Sequence, residues 1–240
     1  MICLLIATRN AHKVGEIRAI LGDGFHCLSL KDFPTAPAVV EDAATFAGNA
    51  TKKAEALARW LSGVPRSAFR AGSRCIGVPS FIVADDSGLE VDALNGAPGV
   101  HSARFAAQDS EEPGNSPDAD NNAKLLRLLT LVPWESRTGR FCCVLALTPV
   151  LGEQNENASP VCYAEEFELQ TQVFRGACEG RILAASSGAG GFGYDPLFVP
   201  DGFEKSFAGL GEDIKNQLSH RAKALEKLKA HFSNARQIKA

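Results

Sequence analysis

The chain has 240 residues, enough to bury a sizeable core, and at 45% hydrophobic and 22% charged it has the composition of a globular protein. Its net charge of −3 lacks the basic excess of a nucleic-acid binder, and no segment approaches the roughly 20 apolar residues of a membrane helix. Neither nucleic acid nor a membrane is therefore an expected partner.

Residues 2–7 form a short apolar run suited to a buried strand. Met1 leads straight into it, so no signal peptide is expected and the cytoplasm is the expected location. Thr8, Arg9 and Asn10 then precede a predicted helix over 11–21 that stops at Gly22, and 25–30 reads as a second strand. Residues 41–61 predict a long helix with an acidic start, its apolar stripe being Ala47, Ala50, Ala54, Leu57, Ala58 and Leu61. The stretch 62–79, rich in Gly, Pro, Ser and Arg, reads as a surface loop. An apolar run over 81–84 then meets Asp85-Asp86 and a Ser87-Gly88 turn, delivering acids to an edge, and a glycine-broken loop ends in Ser102-Ala103-Arg104-Phe105.

Further on, 109–120 reads as a polar loop, 123–131 as a helix, and 140–147 and 161–174 as strands around a polar turn at 152–160. Another strand is expected over 179–184, a glycine-dense loop over 188–193, and a final helix over 213–232. Ile214, Leu218, Ala222, Leu225, Leu228 and Phe232 would face inward on that helix. Alternating elements at the front and hairpin-like strands at the rear indicate an α/β fold with a mixed sheet, and no linker divides 1–240. Seven cysteines with no Cys-x-x-Cys pair read as buried small hydrophobes in a reducing compartment, and the five histidines lack zinc-ligand spacing.

Four constellations carry polar groups suited to chemistry. Thr8-Arg9-Asn10-Ala11-His12-Lys13 follows a strand and opens a helix, where N–H groups and the dipole favour phosphate; simple capping with a solvent-facing Lys13 is the alternative. Two ionised carboxylates about 4 Å apart repel by about 4 kcal/mol at an effective dielectric near 20; adjacent strand residues such as Asp85 and Asp86 point to opposite faces, which partly avoids this and leaves one of them to face a site. With Glu41, Asp86 makes a candidate Mg²⁺ site of hard oxygens; the alternative is a strand-end turn bonded to local N–H groups. In Gly188-Ala189-Gly190-Gly191-Phe192-Gly193-Tyr194-Asp195-Pro196, Phe192 is either a stacking platform for a flat base or a core side chain of a flexible turn. Lys215, His220 and Arg221 are either donors to a base or phosphate, or part of a solvated helix face.

The ordered set ATRNAHKVGEI, EDAATFAGNATKKAEALA, ADDSGLEVDALNGAPGVHSARFA, GAGGFGYDPLFVPDG and KNQLSHRAKAL resembles the inosine triphosphate pyrophosphatase family, also called Ham1-like or non-standard purine NTP pyrophosphatases. The resemblance covers nearly the whole chain. It implies an elongated α/β fold with a long mixed sheet and two lobes around a nucleotide-binding cleft, a homodimer, and Mg²⁺-dependent hydrolysis of ITP, dITP or XTP to the monophosphate and pyrophosphate. Thr8 to Lys13 would cradle the triphosphate, Asp86 would be the essential carboxylate, binding the metal with Glu41, taking the water's proton, or both, and Ser87 would touch substrate. Phe192, Gly193, Tyr194 and Asp195 would hold base and sugar, while Lys215, His220 and Arg221 would complete base recognition. The chain departs from the family pattern at Ala43, where glycine is common, which argues against a left-handed turn there. The loops 62–79, 109–120 and 152–160 also look longer than a minimal member's. Two enzyme alternatives have other substrates, a Maf-like pyrophosphatase acting on modified pyrimidine or standard nucleotides and a haloacid-dehalogenase-type phosphatase, though Asp85-Asp86-Ser87 lacks the latter's Asp-x-Asp spacing. A nucleotide sensor without turnover is the non-enzymatic alternative.

Overall fold

The computed structural model describes residues 1–64, 70–71, 74–75, 79–109, 114–150 and 170–237. The strands are β1 (Ile2–Ile6), β2 (Phe25–Ser29), β3 (Arg70–Ala71), β4 (Arg74–Cys75), β5 (Phe81–Val91), β6 (Thr138–Pro149), β7 (Gln172–Ile182) and β8 (Phe198–Pro200). The helices that matter for the site are α1 (Ala11–Leu21), α2 (Phe46–Ser62), α3 (Asp118–Leu128), α4 (Phe207–Leu210), α5 (Glu212–Leu218) and α6 (His220–Gln237). Six strands form one sheet in the order β2-β1-β5-β6-β7-β8, while β3 and β4, inside the predicted 62–79 loop, pair with each other in a separate two-stranded sheet. The sheet is mixed, because β1 runs parallel to both β2 and β5 whereas β7 and β8 are antiparallel. No described helix is long and apolar enough to cross a membrane.

The chain divides into two compact units, Met1–Asp86 with Val144–Phe174, and Ser87–Cys143 with Arg175–Ala240. In the first, Leu4, Leu5 and Ile6 are wholly buried, the continuous apolar pattern expected of a strand paired on both sides in a parallel sheet. Helix α1 matches its predicted bounds. Asn10 caps its start by accepting from the His12 and Lys13 N–H groups, and Gly22 ends it at φ 68. The stripe of α2 is buried at Ala50, Ala54, Leu57, Ala58 and Leu61, and it also buries Phe46, Asn49 and Glu55. In the second unit Leu89, Val91, Leu125, Leu129, Phe141, Leu197, Phe198 and Phe207 belong to one apolar cluster, crossed by close ring contacts of Phe141 with Phe198 and of Phe198 with Phe207.

Several elements differ from expectation, each for a physical reason. Strand β5 does not stop at a Ser-Gly turn but runs on to Val91, with Gly88 free of positive φ. Nor does it deliver its acids to a sheet edge, since it lies between β1 and β6; Asp85 and Asp86 are buried mid-strand because Lys13 and Asn49 partner them. Helix α2 begins at Phe46 rather than near 41, because Thr45 caps it and Asn49 Oδ1 holds the Ala43 N–H outside the helix. Helix α3 starts at Asp118, five residues before the predicted 123, with Asp118 and Asp120 in a first turn that favours acids. The predicted 179–184 strand is the end of a longer β7. Its inward residues Gly176, Cys178 and Gly180 are too small to show the alternation in hydropathy. Residues 152–160 and 161–169 of the predicted turn and strand lie outside the described residues.

The C-terminal helix is broken at Ser219 (ψ 161), and the break changes its register. Ile214 is therefore 36% exposed and Lys215 is buried, the reverse of the expected facing; Leu218 is half-buried, while Ala222, Leu225, Leu228 and Phe232 point inward as predicted. Cys143 and Cys178 are buried, and burial pushes the Cys27 and Cys178 thiols up to about 11 and Cys142 to about 12, which keeps them protonated and unreactive near neutral pH.

Candidate active site

The pairing of β1 with β5 ends at Ile6 and Val83, so the segment after β1 and the acids of β5 emerge at the same carboxyl end. Open parallel sheets bind ligands at this end. Helix α1 sets Lys13 there, 2.5 Å from Asp85, whose side chain is 1% exposed. Asp86 accepts from the Asn49 amide at 3.0 Å, and the same amide's oxygen takes the Ala43 N–H. Asn49 thereby ties the segment carrying Glu41 to the acid strand. Glu41 lies 2.5 Å from Lys53, one turn beyond Asn49 on α2. Burial pushes the Asp86 carboxyl up to about 6; the Asn49 amide and the Lys13 ammonium oppose the rise, Glu41 adds to it, and Lys53 opposes it.

Thr8 accepts from the Asn10 N–H and Asn10 caps α1, so both are used in shaping the turn. Arg9 donates to the Ala36 carbonyl; Arg9, Asn10, Ala11 and His12 are exposed around it. Ala43 has no positive φ, in keeping with the sequence reading. Its Cβ stands 2.7 Å from where a Gly48 Cβ would lie, so the first turn of α2 needs glycine for space at 48 rather than conformational freedom at 43.

The second unit gathers the remaining expected residues. Asp195 Oδ2 accepts from the Phe192 N–H at 2.8 Å and from Lys215 Nζ at 2.5 Å, in a pair whose side chains are only 3% and 4% exposed. Lys215 Nζ also lies 4.4 Å from the Phe192 ring centroid and the Arg221 guanidinium 6.0 Å from it, so two cations attend the half-buried ring. Gly191 (φ 75) must be glycine on two counts, since a Cβ would also strike the Asp195 carboxylate. His220 stacks on Phe141 at 4.8 Å and 12°, and Arg221 donates to Ser87 at 3.3 Å. Tyr194 is buried, its hydroxyl donating to the Ser102 carbonyl. The run 215–221 is thus no solvated face: Lys215, Ser219, His220 and Arg221 are all buried.

The Ham1 family pattern matches residues 4–231, which include every one of these side chains. The chain belongs to the Ham1 family. It is 44% identical to the dITP/XTP pyrophosphatase of Geobacillus kaustophilus across 94% of this chain and 91% of that protein, and 42% identical to that of Geobacter sulfurreducens across 95% and 96%. The Ham1 protein of Staphylococcus aureus has a similar structure, with TM-score 0.71 and 31% identity over 97% of this chain and 99% of that one.

Three polar groups of this Ham1 fold escaped the sequence reading: Asn49, Lys53 and the Asp118–Asn122 pair of α3. The first had a signal, since Asn49 falls on the apolar stripe of α2, where only a polar residue with a buried partner is tolerated. The residues present fit Mg²⁺. Among the described residues no group of three or more His, Cys, Asp or Glu side chains gathers, so an all-protein cage is absent. Mg²⁺, however, characteristically takes one or two carboxylates and completes its shell with water and phosphate oxygens, and Glu41 and Asp86 interact closely enough for one charge to raise the other's pKa.

Proposed function

We propose that the chain is a nucleoside triphosphate pyrophosphatase that hydrolyses non-standard purine nucleotides such as dITP, ITP and XTP to the monophosphate and pyrophosphate. The observation that carries this reading is its likeness, over more than nine-tenths of its length, to proteins named dITP/XTP pyrophosphatases. Asp86 would act on the attacking water. With a carboxyl near 6 it is mostly ionised at neutral pH yet basic enough to accept a proton, and Asn49 holds its orientation. As water attacks the α-phosphorus, its proton passes to Asp86, the bond from that phosphorus to the bridging oxygen breaks, and pyrophosphate leaves. Lys13 and the N–H groups opening α1 would bind the phosphates. Glu41 and Asp86 would hold Mg²⁺, which supplies charge neutralisation on the phosphate oxygens when bound.

Phe192 would stack on the purine. Donors among Lys215, His220 and Arg221 suit the 6-keto acceptor of hypoxanthine and xanthine and mispair with the 6-amino group of adenine. A site built on such bonds discriminates by on the order of 10⁴ where a buried group is left unsatisfied. A homodimer and a cytoplasmic location complete the proposal; light scattering should return twice the 25.5 kDa chain mass.

With Mg²⁺ and ITP the protein should release pyrophosphate and no orthophosphate, and cleave dATP and dUTP at least a hundredfold more slowly than dITP, on the order expected for hydrogen-bond discrimination. Orthophosphate release, or equal rates on dATP or dUTP, would sink the reading. The Asp86→Asn variant should lose at least about 10²-fold in kcat, the lower range for a general base.

A further inference from the structure

We infer that α3 sets the pose of the base-binding ring, with Asp118 and Asn122 acting as positioning residues for purine selection; this rests on the nucleotide reading above. The two side chains stand one turn apart and grip the single residue Gly193 from both sides of its peptide. Asp118 Oδ2 accepts the Gly193 N–H at 2.6 Å, and Asn122 Nδ2 donates to the Gly193 carbonyl at 3.0 Å. Gly193 sits in the left-handed region at φ 62, with open space where a Cβ would be, so its glycine serves the backbone shape that the grip holds.

The Tyr194 side chain next to Gly193 is steadied indirectly from the same helix. Asn121, beside Asn122, accepts from the Ala106 N–H at 2.8 Å and reaches the Ala103 carbonyl at 3.4 Å. It thereby steadies the segment whose Ser102 carbonyl takes the Tyr194 hydroxyl. On the other side, Asp195 holds the Phe192 N–H. The Phe192 ring therefore projects from a backbone held at 192 by Asp195 and at 193 by α3, beside a Tyr194 side chain anchored on the Ser102 carbonyl. A loop of four glycines in the nine residues from Gly188 would otherwise sample many poses, and ordering it on binding would weaken affinity. The polar face of α3 is thus part of base selection without touching the base.

The test compares Asp118→Ala, Asp118→Asn and Asn122→Asp in the full chain. Asp118→Asn keeps an oxygen acceptor for the Gly193 N–H and serves as the conservative rescue. Asn122→Asp keeps the shape but sets a carboxylate against a carbonyl. Amide hydrogen exchange at Gly193 should quicken in Asp118→Ala and Asn122→Asp and stay near wild type in Asp118→Asn. The two disruptive variants should raise KM for ITP about tenfold, as loss of one hydrogen bond predicts, narrow the ITP-to-ATP ratio of kcat/KM, and leave kcat within about twofold. Unchanged KM and unchanged selectivity in an active protein overturn the inference, as does a fall in Tm and kcat with KM untouched. Wild-type protein inert towards ITP instead refutes the nucleotide reading. Asp118 is exposed, so its variants report even if Asn122→Asp fails to fold.

Discussion

At the scale of single residues, the candidate site is built from buried charges with specific partners. Asp86 is 7% exposed, and only an amide and nearby cations offset the cost of ionising it. Replacing Asn49 by Leu removes a bond to the ionised carboxylate, so the Asp86 carboxyl should rise further above 6. If Asp86 is the base proposed above it acts ionised, so the acid limb of the kcat/KM profile should move to higher pH, and a pH–rate series with ITP checks the direction. The Asp195–Lys215 pair is buried more deeply still. Breaking it from one side strands a charge and should cost about 3–5 kcal/mol, while Lys215→Met with Asp195→Asn together should cost less than either alone. Urea unfolding of the three variants measures this.

At the scale of elements, close approach matters more than hydrophobic content. A Cβ on Gly176 would lie 2.1 Å from the His220 carbonyl oxygen and 2.7 Å from the Ala224 nitrogen, so the bare backbone of β7 is what lets the start of α6 seat His220 and Arg221. Gly176→Ala must displace backbone and should cost about 1–3 kcal/mol together with a rise in KM, as overpacking does. Thermal unfolding and ITP kinetics on the same sample test it; unchanged stability would show that α6 has room to move. Arg137 does the converse for α3, its buried guanidinium donating to the Leu129, Val132 and Leu183 carbonyls and so closing the region where the helix ends. Elements with strong local signals, such as α1 with its Asn10 cap and Gly22 stop, were legible in the sequence. The full extent of β7, the early start of α3 and the break at Ser219 were not, because small inward residues hide a strand and long-range bonds override local periodicity.

At the scale of the whole molecule, a raised carboxylate makes global stability depend on pH. Asp86 ionises at about 6 in the folded state against an ordinary 3.8. Between these values the folded state binds more protons than the unfolded one, so this contribution is complete below about 4, falls as pH rises, and is gone above about 6. The gap corresponds to at most about 3 kcal/mol. Asp86→Asn should therefore gain stability relative to wild type as pH rises from 4 to 7 in metal-free buffer, and Mg²⁺ should narrow the difference by stabilising only the ionised wild type. Unfolding free energies across that range decide it; a constant difference would place the penalty elsewhere.

The mixed α/β class, the strand–turn–helix opening and the order of the motifs are legible along the chain, because each is written in residues close together: an apolar run, a cap, a glycine stop. The sequence also supplied the residue types of the candidate site. Which face each residue takes depended on the folded chain. Lys215 lies inside while Ile214 lies outside, Asp86 is held by an asparagine from α2, and Gly193 is gripped by α3. Each of these depends on partners 20 to 75 positions away. Burial of a polar group is favourable only once that distant partner arrives, and local periodicity carries no record of it.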